Sequence, residues 1–243
     1  AGYIPLANGA MEGWTLETML GGMGPAFYGA NTFYNAVVKG EKTFQDPAFI
    51  KAIEKMQSLG VYMPDMYMGV SYEDMRAYFF NEVAAHMIGG SYEAAYFKAQ
   101  NPSLDFDVFA IPGEDPTKPA YVSVYADMNF AMNAATKNKD ASVKFLRFLS
   151  SKEFGNAMIS ELKMISAVPG VNASSDPFIA RVLELQKNST PFIFLVGFRY
   201  QQPTGSSLWQ AAAQGVMAGK LTPAEAAKQV QDGIASYYKP FQK

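Results

Sequence analysis

Short apolar runs alternate with capped, amphipathic helical segments along this chain, and that alternation restricts its fold more than any other feature. A chain that switches repeatedly between strand-like and helical periodicity reads as an α/β fold, built in layers. The opening run Tyr3-Ile4-Pro5-Leu6-Ala7 passes through the turn-rich Asn8-Gly9-Ala10-Met11-Glu12-Gly13 into a helix expected from about Trp14 to Leu20, which Gly21-Gly22 should break. Asp46-Pro47 opens a second helix, with Phe49, Ile50, Ile53 and Met56 at helical spacing and Gly60 as its stop. Ser71-Tyr72-Glu73-Asp74 is a capping box for a helix to about Phe80. Val83 to Ile88 reads as a buried strand, and Gly89-Gly90-Ser91-Tyr92 turns it into a helix ending near Gln100. Further strands are expected at 106–111 and 121–135, with a polar turn at 113–116 between them. Helices then follow from Asn138, Ser151, Asp176, Ser206 or Ser207, and the Thr222-Pro223-Ala224-Glu225 capping box, with an irregular aromatic stretch at 190–203.

Composition narrows the function. Twenty basic against 22 acidic side chains, without a Lys or Arg run, offer no field for gathering polyanions, so nucleic acid is not an expected partner. No cysteine is present, which removes disulfides, thiolate catalysis and Cys-ligated zinc. No stretch reaches the eighteen or so uninterrupted apolar residues that a membrane-spanning helix needs. The start at Ala1, without a Met or an export signal and running at once into a strand, reads as a chain lacking its natural N-terminus.

Catalytic groups are scarce. His86 is the only imidazole and lies within an apolar run, where it reads as structural. No Gly-x-Ser-x-Gly elbow, phosphate-binding loop, His-Glu-x-x-His or EF-hand pattern occurs, so no catalytic residue, metal site or cofactor is assigned. Glu12 and Asp127, both at apparent strand ends, leave open a glycoside hydrolase with paired carboxylates. The plainer alternative is that each accepts hydrogen bonds from a ligand or a loop. Aromatic residues make up 14% of the chain, and Trp14, Tyr92 and Trp209 all stand at loop-to-helix junctions. Flat rings at such junctions can stack on the C–H faces of a sugar while short polar groups take its hydroxyls. Met56, Met63 and Met75 read as core filler.

Three ordered segments carry a family resemblance. Tyr78-Phe79-Phe80-Asn81-Glu82-Val83-Ala84-Ala85-His86-Met87-Ile88-Gly89-Gly90-Ser91-Tyr92, the helix start Asn133 to Leu146, and Gly215 to Ala227 together resemble the sugar-binding extracellular solute-binding proteins of ABC importers, which include maltose-binding protein. The resemblance implies a type II periplasmic-binding-protein-like fold of two α/β lobes. The chain would hold mostly the C-terminal lobe, at 1–126 and 175–243, with 127–174 belonging to an N-terminal lobe that is otherwise missing. It implies capture of a sugar or oligosaccharide outside the cytoplasm, in the periplasm or from a lipid anchor, and its delivery to membrane permease subunits without catalysis. Trp14, Tyr92 and Trp209 take the places of the family's stacking aromatics. Asp127 stands at the crossing strand, where many members have a Gly pair. Arg199 and Gln202, in the loop before the late helix, and Glu12 complete the expected binding set. A hydrolase, or a binder of a different small solute, remains the alternative. If most of one lobe is absent, apolar surface should be bare on 127–174.

Overall fold

A computed structural model of the chain describes residues 2–115, 117–127, 129–171 and 176–242. Its elements are β1 (Ile4–Leu6), α1 (Gly13–Met23), α2 (Pro25–Tyr28), α3 (Ala30–Val38), α4 (Pro47–Ser58), α5 (Tyr72–Phe80), β2 (Ala84–His86), α6 (Glu93–Gln100), β3 (Val122–Val124), α7 (Lys139–Leu149), α8 (Lys152–Leu162), α9 (Pro177–Leu185), β4 (Ser189–Pro191), α10 (Ile193–Val196), α11 (Gly205–Met217) and α12 (Pro223–Ala235).

The caps read from sequence hold these helices in place. The Asp46 carboxylate accepts from Ala48 N ahead of Pro47, and Asp176 accepts from Phe178 N and Ile179 N. Ser71 with Asp74, and Thr222 with Glu225, form reciprocal capping boxes. Each such cap satisfies amides that the first helical turn leaves orphaned, an effect of about 1 kcal/mol.

One core dominates. α11 packs on α12 and on α1, and α4 closes the far side. Phe33, Phe44, Phe49, Phe194, Phe198 and Trp209 are fully buried between them. Phe33 stacks on Phe49 and Phe194 on Trp209, while Phe44 meets Phe49 edge-on. Met56, Met63 and Met75 are buried, in line with the core-filler reading. β1 and β2 run parallel, with Ile4 opposite Ala84 and Leu6 opposite His86. β3 and β4 form a second parallel pair, Val122 opposite Ser189.

Residues 129–171 differ. α7 carries Val143, Phe145, Leu146, Phe148 and Leu149 yet buries none of its residues. Phe145 is 55% and Phe148 41% exposed, and Phe130 and Leu162 are also exposed. Among the described residues, the buried apolar cluster formed here joins Ile159 of α8 to Val171 and to Ile179 of α9.

Several expectations change. α1 runs through Gly21 and Gly22 instead of stopping at them, because Gly21 serves as a notch: a Cβ there would stand 2.1 Å from Cζ of Phe192. α3 had no signal recognised in the sequence. Of the strand pattern at 121–135, Met128 lies outside the described residues and only 122–124 are paired, while 106–111 forms no ladder with any described residue. An alternating pattern makes a segment competent for pairing, but only a partner makes it a strand. The 190–203 stretch, expected to be irregular, begins with β4 and α10. The boundary expected at 174/175, and Pro116 of the polar turn, lie outside the described residues.

Candidate functional site

A groove of about 1230 Å³ runs along β2, residues 104–111, β3 and the segment that follows it, with 164–168 and α9 on its far side. Thr18, Tyr92, Tyr125 and Asp127 gather at one end of it.

Each is positioned by local structure. Tyr92 follows Gly90, whose missing side chain is required: a Cβ there would fall 2.1 Å from Cε1 of the Tyr92 ring. Thr18 projects from α1 within hydrogen-bond reach of the Tyr92 phenol. β3 is tied to α1 by Ser123 Oγ donating to the Gly21 carbonyl at 2.7 Å, and Phe192 N donates to the Val124 carbonyl at 2.9 Å. Tyr125 leaves that strand with its ring edge-on to Phe192 and its hydroxyl 3.5 Å from Asp127 Oδ2. Burial is the main cause that raises both phenols above their ordinary range. The neighbouring Glu93 adds to this at Tyr92, and Asp127 at Tyr125, so both hydroxyls stay protonated and able to donate.

Beneath this end lies Glu17 of α1, only 2% exposed. Its Oε2 accepts from Ser206 Oγ and from Gln210 Nε2, each at 2.7 Å, while Oε1 has no hydrogen-bond partner among the described residues. Burial raises its pKa, opposed by those two hydrogen bonds and by the charge of Arg199. Behind Tyr92, Glu93 is buried at the start of α6, accepts from the Tyr72 hydroxyl and pairs with Arg76 Nε at 3.1 Å. The Arg76 guanidinium lies 3.1 Å from the centroid of the Tyr96 ring and 4.8 Å from that of Tyr72.

The structure distributes the expected binding set among four places. Tyr92 and Asp127 stand in the groove together. Trp14 is half-buried against Tyr72, edge-on at 4.5 Å, and Glu12 Oε2 accepts from Tyr72 N at 2.9 Å; neither lines the groove. Glu12 thus acts as a loop anchor, the plainer of its two readings, and does not share the groove with Asp127. Trp209 corrects the expectation most sharply: it is 0% exposed in the core, because α11 turns that face toward Phe49 and Phe194. Arg199 and Gln202 are exposed on the loop before α11 and do not line the groove, though the charge of Arg199 reaches Glu17 and Tyr125. His86, read as structural, is exposed to the groove, with Nδ1 3.1 Å from the Pro5 carbonyl and its ring edge-on to Phe109.

Thr18, Tyr125 and Glu17 went unrecognised in the sequence. The available signal was a lone acid inside Gly13-Trp14-Thr15-Leu16-Glu17-Thr18-Met19-Leu20, an otherwise uncharged helix. Phenol rings with a hydroxyl and a carboxylate beside them can bind a polyhydroxylated guest by stacking and by hydrogen bonds in both directions. No group of three or more metal-ligating side chains occurs among the described residues.

The family profile described as bacterial extracellular solute-binding protein matches residues 4–155. No curated protein sequence matches. Among solved structures, a chitin oligosaccharide binding protein is 18% identical with a TM-score of 0.83, over 97% of this chain and 60% of its own. The maltose/maltodextrin-binding domain of Bdellovibrio bacteriovorus, bound to maltotriose, is 18% identical with a TM-score of 0.71, over 98% of this chain and 61% of its own. A sugar transporter from Bacillus licheniformis in complex with stachyose is 10% identical with a TM-score of 0.73, over 98% and 62%. The chain therefore spans about three fifths of the length of the solved proteins it matches.

Proposed function

We propose, from the premise that this chain belongs to the bacterial extracellular solute-binding proteins and has their type II periplasmic-binding-protein-like fold, that it captures a sugar or oligosaccharide and delivers it to the membrane subunits of an ABC importer. The observation that carries this reading is the gathering of Tyr92, Tyr125, Thr18 and Asp127 at one end of a single groove. Two protonated phenols supply ring faces and donors, and Asp127 supplies an acceptor. Nothing in this end of the groove needs to make or break a bond for the guest to be held.

In the same reading, residues 1–126 and 175–243 belong to one lobe and 127–174 to a second, most of which would come from polypeptide beyond this sequence. The bare apolar face of α7 supports that division, since a helix of this composition ordinarily buries its stripe. The guest would then lie between the lobes, and lobe closure would present the permease with its docking face. The location is periplasmic or extracellular, with a lipid anchor as one mode of attachment. No helix among the described residues is long and apolar enough to cross a membrane.

Calorimetric titration of the intact two-lobed protein with maltotriose, stachyose and chitin oligosaccharides tests the reading. Binding of at least one, weakened ten-fold or more by Tyr92→Ala or Tyr125→Ala, is expected. Absence of binding across the panel, or binding indifferent to both substitutions, would overturn it. Release of reducing sugar during the titration would favour the hydrolase.

A further inference from the structure

Gly89 and Gly90 lead into Tyr92, and glycine leaves a backbone the most freedom to lose. The pair therefore does not settle by itself where the Tyr92 ring stands. The helix that follows adds little, because Tyr92 is the N-cap residue of α6 and no side-chain cap among the described residues closes that end. A turn of this kind depends on fastenings from outside it.

The entrance is fastened by Asn8, which is 1% exposed in the loop after β1. Its Nδ2 donates to the Ile88 carbonyl at 2.9 Å, and its Oδ1 accepts from Ile88 N at 2.8 Å. The last backbone bond of the β1–β2 pair runs from Ala7 N to the His86 carbonyl at 2.8 Å. One side-chain amide, donating and accepting as a peptide unit does, carries that pairing on to the threshold of the turn.

The exit is fastened by Glu93, the residue next to Tyr92. Its side chain is only 5% exposed, and both of its oxygens meet α5: Oε1 accepts from the Tyr72 hydroxyl, and Oε2 stands 3.1 Å from Arg76 Nε. Those two partners are themselves held. The Arg76 guanidinium lies against the rings of Tyr96 and Tyr72, and its Nη1 donates to Glu73 Oε1 at 3.1 Å. Tyr72 has the Trp14 ring edge-on and its backbone N–H bonded to Glu12. A buried ion pair is a weak source of net stability, since desolvation offsets its attraction and apolar side chains of similar volume often do as well. What two engaged oxygens add is a fixed direction for the backbone that carries them.

We infer that Glu93, held by Arg76 and Tyr72, is the positioning residue for Tyr92: it fixes the exit of the glycine turn as Asn8 fixes its entrance, and so sets the ring against the guest. The inference rests on the sugar reading, in which Tyr92 is a contact of the guest and Glu93 acts only through it.

A double-substitution cycle on the intact two-lobed protein tests it, read by calorimetric titration with whichever of maltotriose, stachyose and chitin oligosaccharides binds. Glu93→Ala should weaken binding five-fold or more in the parent and less than two-fold in a chain that already carries Tyr92→Ala, because the ring it positions is gone. A residue that merely supports the lobe would weaken both backgrounds alike. If Glu93→Ala fails to fold, Arg76→Met, which keeps the apolar stem and removes the cation, takes its place in the same cycle. Amide exchange over 93–100 without sugar should quicken ten-fold or more in the variant and stay unchanged over α11 and α12. If no sugar of the panel binds, the sugar reading fails and this exchange alone decides whether Glu93 fastens the turn. The inference is overturned if binding is unaffected by Glu93→Ala, if it weakens equally in both backgrounds, or if exchange over 93–100 keeps the parent rate.

Discussion

α11 and α7 are both capped or flanked by polar turns, both carry apolar side chains at helical spacing, and they meet opposite fates. α11 buries Trp209, Ala212, Ala213, Val216 and Met217, whereas α7 buries nothing and shows Phe145 and Phe148 to solvent. The difference lies outside the helices. α11 has α1, α12 and α10 against it, whereas among the described residues the main packing of α7 on another element is a slight contact with α8. Amphipathicity states that a helix has a face to bury; the rest of the chain decides whether the burial happens.

The comparison can be broken most directly by truncating one large ring in each region. Trp209→Ala should lower the stability measured by urea denaturation by about 3–5 kcal/mol, because it leaves a cavity among close-packed rings. Phe145→Ala should change it by no more than about 0.5 kcal/mol, as for other exposed positions. Equal costs would mean that α7 is packed in solution. Filling the notch comes next: Gly21→Ala puts a methyl group into the Phe192 ring and should cost about 1–3 kcal/mol in the same experiment.

A smaller effect separates the regions by pH. Burial raises the Glu17 carboxyl above its ordinary 4.5, so the folded chain keeps this proton over a range in which the unfolded chain has released it. Stability contributed by Glu17 is therefore full below the ordinary value and declines as pH rises toward the folded one. Glu17→Gln should be more stable than the parent at pH 7, with the advantage vanishing below about pH 4, where both chains carry a neutral side chain. Thermal unfolding at a series of pH values checks the sign, and an advantage that grows in acid would refute it. The smallest change expected in stability is for Phe145→Ser with Phe148→Ser. Its readout is the fluorescence of a hydrophobic dye, which should fall while the unfolding midpoint barely moves.

What could be read beforehand was whatever is settled within a few residues. The caps at Asp46, Ser71, Asp176 and Thr222, and the α/β alternation, depend on local backbone chemistry and stand in the structure. Tyr92 could be placed because a glycine turn delivers it to the end of a strand. Trp209 could not, since a loop-to-helix junction looks the same whether the following ring turns outward or into a core. Glu17 was hidden for the converse reason: its significance comes from Ser206 and Gln210, near the other end of the sequence. Gly21-Gly22 shows the same limit, for a pair that weakens an isolated helix is required once Phe192 needs the space.

The bond between Glu17 and Ser206 joins residues 189 positions apart, and the Gly21 notch waits for a ring supplied almost as late. At ribosomal speeds of about 5–20 residues per second, roughly ten to forty seconds pass between emergence of the two halves of this joint. Throughout that interval α1 has no finished surroundings, so the early helices cannot settle as an independent unit. Seating of α1 is thus a closure of long sequence separation, the kind of contact that slows folding.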